Sequence, residues 1–150
     1  MFTTRPEIAG TFGVVTSTHW LATAAGMSIL ERGGNAFDAA VATGTSLHVV
    51  EPHQNGPGGE MPLVLYSARD KAVKVICGQG TAPKAATIES FRRLGLDVLP
   101  GNGLLPAVVP GSFGAWMLLL ARWSGRASVA GLSAPTPTAP PTTATPMELP

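Results

Sequence analysis

The 150-residue chain has a single cysteine, Cys77, so it offers no intrachain disulfide, no CxxC redox pair and no cysteine-based zinc site. A reducing compartment is the default for such a chain. Charge is also sparse. Ten basic against nine acidic side chains leave a net charge of +1, too little for the phosphate-neutralising stripe of a nucleic-acid binder. Long apolar runs are missing as well. The richest, around 116–121, falls far short of the roughly 18 residues a membrane span requires, so neither nucleic acid nor membrane is expected as a partner. The first thirteen residues hold Arg5 and Glu7 and no continuous apolar stretch. No secretory leader is read there, and the cytoplasm is the expected location.

What is present is apolar and rich in turn formers. Hydrophobic residues make up 45% of the chain, which excludes a highly charged disordered polypeptide. Eighteen glycines and fourteen prolines predict abundant loops. The length suits one domain, which at this size would bury about 68–70% of its unfolded surface.

Helical spacing opens at 18–32, with Thr18 placed to cap the N-terminus and Gly33-Gly34 to stop the helix. Leu21, Ala25 and Ile29 share its expected buried face. A second helix is expected from Asn35 to about Val50, where Pro52 forbids continuation. It is unusually rich in small residues, from Ala36 through Ser46, which admit close approach of another backbone and read as packing against a sheet. The run Gln54-Asn55-Gly56-Pro57-Gly58-Gly59 must be a loop. Two short strands follow at 63–66 and 72–76, with 68–71 as a hairpin connection. A short helix over 87–94 has Thr87 as cap and Gly95 as stop, Val108-Val109 is extended, and a last helix covers 112–123. That helix is apolar almost all round and asks for extensive cover. Beyond it, fifteen of the last twenty residues are Pro, Thr, Ala or Ser, a composition that predicts a disordered or polyproline-like tail.

Chemistry is harder to place. No Walker A run occurs, and no GxGxxG follows a strand. His19, His48 and His53 lack metal-ligand spacing, so neither a metal nor a cofactor is expected. His53 borders the glycine loop and either fixes loop carbonyls or contacts a ligand. The loop itself is either a plain chain reversal or a set of backbone amides facing an oxyanion. Gly111-Ser112-Phe113-Gly114 has the wrong spacing for a serine-hydrolase elbow. Cys77 follows an apolar strand and reads as a buried packing thiol. No catalytic residue emerges.

The order of motifs carries more than any one residue. The runs His19-Trp20-Leu21-Ala22-Thr23-Ala24-Ala25-Gly26, Gly33-Gly34-Asn35-Ala36-Phe37-Asp38-Ala39-Ala40-Val41-Ala42 and Glu51-Pro52-His53 resemble the start of the gamma-glutamyltransferase family. Gly56 with Gly58-Gly59, the strand pair, Thr81-Ala82-Pro83 and Val109-Pro110-Gly111 continue the resemblance to about Trp123. It implies an α/β (α+β) fold, the N-terminal part of a four-layer αββα sandwich of the N-terminal nucleophile hydrolases. The expected division is a flexible 1–12, a family segment 13–126 and a low-complexity tail 127–150. The implied chemistry is attack of a self-released threonine on a γ-glutamyl amide such as glutathione, the acyl group passing to water or an amine.

Thr3 and Thr4 lie outside the matching runs, so the resemblance supplies no catalytic residue here. The expectation is a truncated piece, inactive alone. The alternatives are a non-catalytic module that associates with an intact family member, and an amidohydrolase-like relative with another acyl donor. Substrate-binding residues implied by the resemblance are His53, Gly58, Gly59 and Gln79. Gln79 stands where family members commonly carry an arginine that grips the substrate α-carboxylate, and it offers only a neutral hydrogen bond. A γ-glutamyl small molecule, and a small-subunit or homo-oligomeric partner, are the implied partners.

Overall fold

The computed structural model describes residues 7–125. The expected tail, 127–150, and the first six residues of the expected flexible N-terminus lie outside them. Six elements follow in order: α1 (Trp20–Glu31), α2 (Ala36–Val50), β1 (Met61–Ser67), β2 (Ala72–Gly78), α3 (Ile88–Arg93) and α4 (Ser112–Trp123). The described chain divides into two compact units, one made of 7–56 with 119–125 and the other of 57–118. Among the described residues, no helix is long and apolar enough to cross a membrane.

In the first unit α1 begins two residues later than the spacing predicts. His19, extended at φ −126 and ψ 130, is the N-cap, and its Nδ1 accepts from the Leu21 N–H at 3.2 Å. The Thr18 hydroxyl donates to Oε2 of Glu51, and it is the His19 side chain that accepts from the first turn. The stop is as expected. Gly33 takes φ +84, its N–H donates to Leu30 O, and the Gly34 N–H donates to Ile29 O, the paired bonds that satisfy the last carbonyls of a helix.

The start of α2 is set by a reciprocal cap. Asn35 Oδ1 accepts from the N–H groups of Phe37 and Asp38, and Asp38 Oδ2 accepts from the Asn35 N–H. The same two side chains also hold residues 86 to 88 positions away. Asn35 Nδ2 donates to Trp123 O at 2.7 Å, Ser124 Oγ donates to Asp38 Oδ1 at 2.6 Å, and the Gly125 N–H donates to Asp38 Oδ2 at 3.1 Å. An orphan carbonyl at the end of α4 is thus satisfied by the residue that opens α2. The rings of Phe37 and Trp123 pack beside this clasp at 6.3 Å.

The partner admitted by the small residues of α2 is a helix, α1, rather than a sheet. Ala39, Val41, Thr43 and Gly44 are buried on α2, and Ala22 and Gly26 on α1. The buried line of α1 is therefore one position round from the expected Leu21, Ala25 and Ile29, and Leu21 is exposed. Gly26 sets this rotation, since a Cβ there would lie 2.0 Å from Thr43 Oγ1 and 3.1 Å from Ala39 O. The Thr43 hydroxyl is satisfied by donating to Ala39 O at 2.8 Å.

The second unit is built on an antiparallel hairpin in which Met61 pairs with Gly78 and Ser67 with Ala72. Its connection, 68–71, ends on Lys71 at φ +51. Strand alternation buries Leu65, Ser67, Ile76 and Gly78 on one face. The other face presents Val64, Tyr66, Val73, Val75 and Cys77 to solvent. Cys77 is therefore exposed, not the buried packing thiol its apolar strand implies, because period-two alternation places it opposite Ile76 and Gly78. Next, α3 is capped by Thr87, whose Oγ1 accepts from the Ser90 N–H, and stopped by Gly95 at φ +74. On α4, Ser112, Ala115 and Leu119 form the buried line, while Phe113 stays exposed.

Candidate functional site

The ladder of the hairpin closes at Met61 and Gly78, so the chain enters through Gly58-Gly59-Glu60 beside the point where it leaves through Gln79. A third segment, 109–112, crosses this open end at backbone contact. A Cβ on Gly80, whose φ is +79, would stand 1.9 Å from Val109 O, and one on Gly111 would stand 2.5 Å from Gly78 O. The Val109 N–H donates to Thr81 O at 2.9 Å and fastens the crossing. Ser112 fastens the entering loop. Its N–H donates to Gly59 O at 3.2 Å and its Oγ to Pro57 O at 2.7 Å, and the residue is only 3% exposed.

Gln79 lies between Gly78 and Gly80, both against this crossing, and is itself exposed. Its Oε1 accepts from Cys77 Sγ at 3.5 Å, leaving its NH2 group as an outward donor. Gly58 and Gly59 are exposed, and a Cβ on Gly58 would meet nothing within 4 Å. The absence of a side chain there leaves backbone open rather than making room for packing. The structure thus brings Gly58, Gly59 and Gln79 to one end of the hairpin.

His53 belongs to the other unit. It sits exposed in the turn after α2, with Nε2 3.3 Å from Gln54 Nε2. His48 is in the last turn of α2, where its buried Nε2 has no hydrogen-bond partner. Among the described residues, no three of His, Cys, Asp and Glu gather into a group that could hold a metal ion.

Sequence reading missed Ser112 and the glycine crossing. Gly111 was visible as part of the Val109-Pro110-Gly111 motif and, with Ser112, as a failed elbow, and nothing in a linear pattern places them against residues more than thirty and fifty positions earlier. The usable signal was the concentration of glycine in three short segments, 56–59, 78–80 and 111. Chemically, this end of the hairpin offers backbone amides and a neutral carboxamide donor. Its segments 57–60, 78–83 and 109–112 carry one charge, that of Glu60, and no cation.

Residues 22–138 match the family model described as gamma-glutamyltranspeptidase, and the chain belongs to that family. The matched stretch runs past Trp123, where the motif-by-motif resemblance stops. The glutathione hydrolase-like YwrD proenzyme of Bacillus subtilis (strain 168) is 40% identical over 130 residues, covering 86% of this chain and 24% of its own. Among solved structures, LmbA2991HD superposes with a TM-score of 0.75 at 57% identity, over 84% of this chain and 22% of that one. Helicobacter pylori gamma-glutamyltranspeptidase superposes with a TM-score of 0.71 at 33% identity, over 81% of this chain and 35% of that one. The mixed helix and hairpin fold is thus that of N-terminal nucleophile hydrolases of this family, and the chain spans about a quarter to a third of these relatives' lengths.

Proposed function

We propose that the open end of the hairpin forms part of the acyl-amide recognition surface of a gamma-glutamyltransferase-like enzyme, which passes an acyl group from an amide to water or an amine. The observation that carries this reading is the presentation of the Gln79 carboxamide beside Gly58-Gly59 by an immobile backbone crossing, in a chain of this family. A γ-glutamyl amide such as glutathione is the donor the family implies. The local charge favours a second reading, an amidohydrolase whose donor lacks a free α-carboxylate. Gln79 contributes no positive charge, and the carboxylate of Glu60 opposes a second one.

The chain by itself is proposed to bind but not to turn over. Of the two hydroxyl side chains in the site segments, Thr81 is exposed and Ser112 Oγ is buried and donates to Pro57 O, and no histidine lies in the three segments to activate either.

One titration tests both parts. With the full 150-residue chain labelled with nitrogen-15, γ-glutamyl p-nitroanilide and butyryl p-nitroanilide are each expected to shift the amide signals of Gly58, Gly59 and Gln79 without releasing p-nitroaniline. Gln79→Arg is expected to tighten the γ-glutamyl probe about fivefold, the difference between a neutral and a charge-assisted hydrogen bond. If neither probe moves those signals, the recognition reading fails. Reproducible release of p-nitroaniline overturns the claim of inactivity.

A further inference from the structure

We infer that Ser112 is a positioning residue for substrate recognition, setting the Gly58-Gly59 loop at a fixed place beside Gln79. The inference rests on the reading of the hairpin end as an acyl-amide surface.

Ser112 is the first residue of α4, after Gly111, whose carbonyl accepts the first helical bond from the Ala115 N–H at 3.1 Å. Its hydroxyl donates to Pro57 O at 2.7 Å, and its own N–H reaches Gly59 O at 3.2 Å. The two bonds grip the loop on either side of Gly58. That grip matters because paired glycines have the most conformational freedom to lose on ordering, and a Cβ at Gly58 would find no neighbour. The packing that normally fixes a loop is absent at that residue, and two bonds to one buried residue, one from its side chain and one from its backbone, take its place.

The neighbouring residue completes the geometry. Gly111 lies against Gly78 and Gly80, since a Cβ on it would stand 2.5 Å from Gly78 O and 2.6 Å from Gly80 N. One dipeptide therefore touches both candidate recognition segments. Gly111 locates the residues flanking Gln79 by contact, and Ser112 locates the loop by hydrogen bonds. Removing the hydroxyl releases the loop at Pro57, leaving the Ser112 N–H to Gly59 O bond and the glycine crossing, with its Val109 to Thr81 bond, in place.

The test compares Ser112→Ala and Ser112→Thr in the full chain. In Ser112→Ala, nitrogen-15 order parameters at Gly58, Gly59 and Glu60 are expected to fall from near 0.85 toward about 0.6, with Thr81 and Val109 unchanged. Affinity for γ-glutamyl p-nitroanilide is expected to weaken about fivefold to tenfold, the loss of one hydrogen bond's contribution. Ser112→Thr keeps the hydroxyl and is expected to restore both readings. Should Ser112→Ala not fold, Ser112→Cys, a weaker donor, is expected to give an intermediate loosening.

An unchanged loop in Ser112→Ala overturns the inference, and so does a loosened loop that binds the probe as before. Equal losses in Ser112→Ala and Ser112→Thr also overturn it, because they would trace to packing. If the unsubstituted chain binds no probe, the recognition reading fails, while the order parameters still decide whether Ser112 holds the loop.

Discussion

Gly80→Ala is expected to lower the stability of the chain by about 2–4 kcal/mol, a large share of the roughly 5–15 kcal/mol that holds a domain folded. Two costs combine. At φ +79 an L-residue with a Cβ is disfavoured by about 1 kcal/mol or more. The added carbon would also lie 1.9 Å from Val109 O, so the two backbones must part, and forced overpacking costs about 1–3 kcal/mol. The relief available is small, because the obstacle is backbone rather than the end of a flexible side chain. Urea unfolding followed by far-UV circular dichroism gives the difference directly. A variant within about 0.5 kcal/mol of the parent, the range of an ordinary surface substitution, would mean that the crossing is not closed in solution.

Gly26→Ala is the second large effect and has a different signature. In an isolated helix the change is favourable by about 1 kcal/mol. Here the new Cβ would stand 2.0 Å from Thr43 Oγ1, 2.9 Å from Val15 Cγ1 and 3.1 Å from Ala39 O, and separating α1 from α2 at that point costs about 1–3 kcal/mol. Net destabilisation of up to about 2 kcal/mol is expected. The diagnostic is a double-mutant cycle. Thr43→Ala removes the nearest obstacle, so Gly26→Ala with Thr43→Ala should be less destabilised than the sum of the single variants, by about 0.5–3 kcal/mol. Strict additivity would show that the helices do not meet through these residues.

These two glycines mark the boundary of what the sequence could disclose. Local signals were legible wherever chemistry within one turn decides the outcome. The Asn35 and Asp38 reciprocal cap, Thr87 before α3, and Gly33 and Gly95 after their helices all act over at most a few residues, and those boundaries are where the sequence puts them. The start of α1 was misplaced because Thr18 and His19 can both cap. The cap falls to His19, while the Thr18 hydroxyl is tied to Glu51, 33 positions away. Cys77 was misjudged for a related reason. An almost continuously apolar strand reveals two apolar faces without saying which one is covered.

The candidate site shows the same division. Gln79, Gly58 and Gly59 were identified through resemblance, and their convergence follows from hairpin register. His53, identified in the same way, falls in the other compact unit. Ser112 was invisible as a participant, because its significance lies in two hydrogen bonds across more than fifty residues and in no local pattern.

The clasp at the start of α2 also bears on how the chain comes to be folded during synthesis. Asn35 and Asp38 wait for Trp123, Ser124 and Gly125, so the unit containing α1 and α2 is assembled from both ends of the described chain. The unit between them is contiguous. As the polypeptide emerges N-terminus first, α1 and α2 can pair early, but their unit cannot close until residue 125 is available. The described part of the hairpin unit, 57–118, has already been synthesised by then. Vectorial synthesis therefore favours a reversed order of completion, in which the inserted unit matures before the unit that opens the sequence. Closing the outer one is left as the late step, with the loop-closure entropy of the intervening chain already reduced by its compaction.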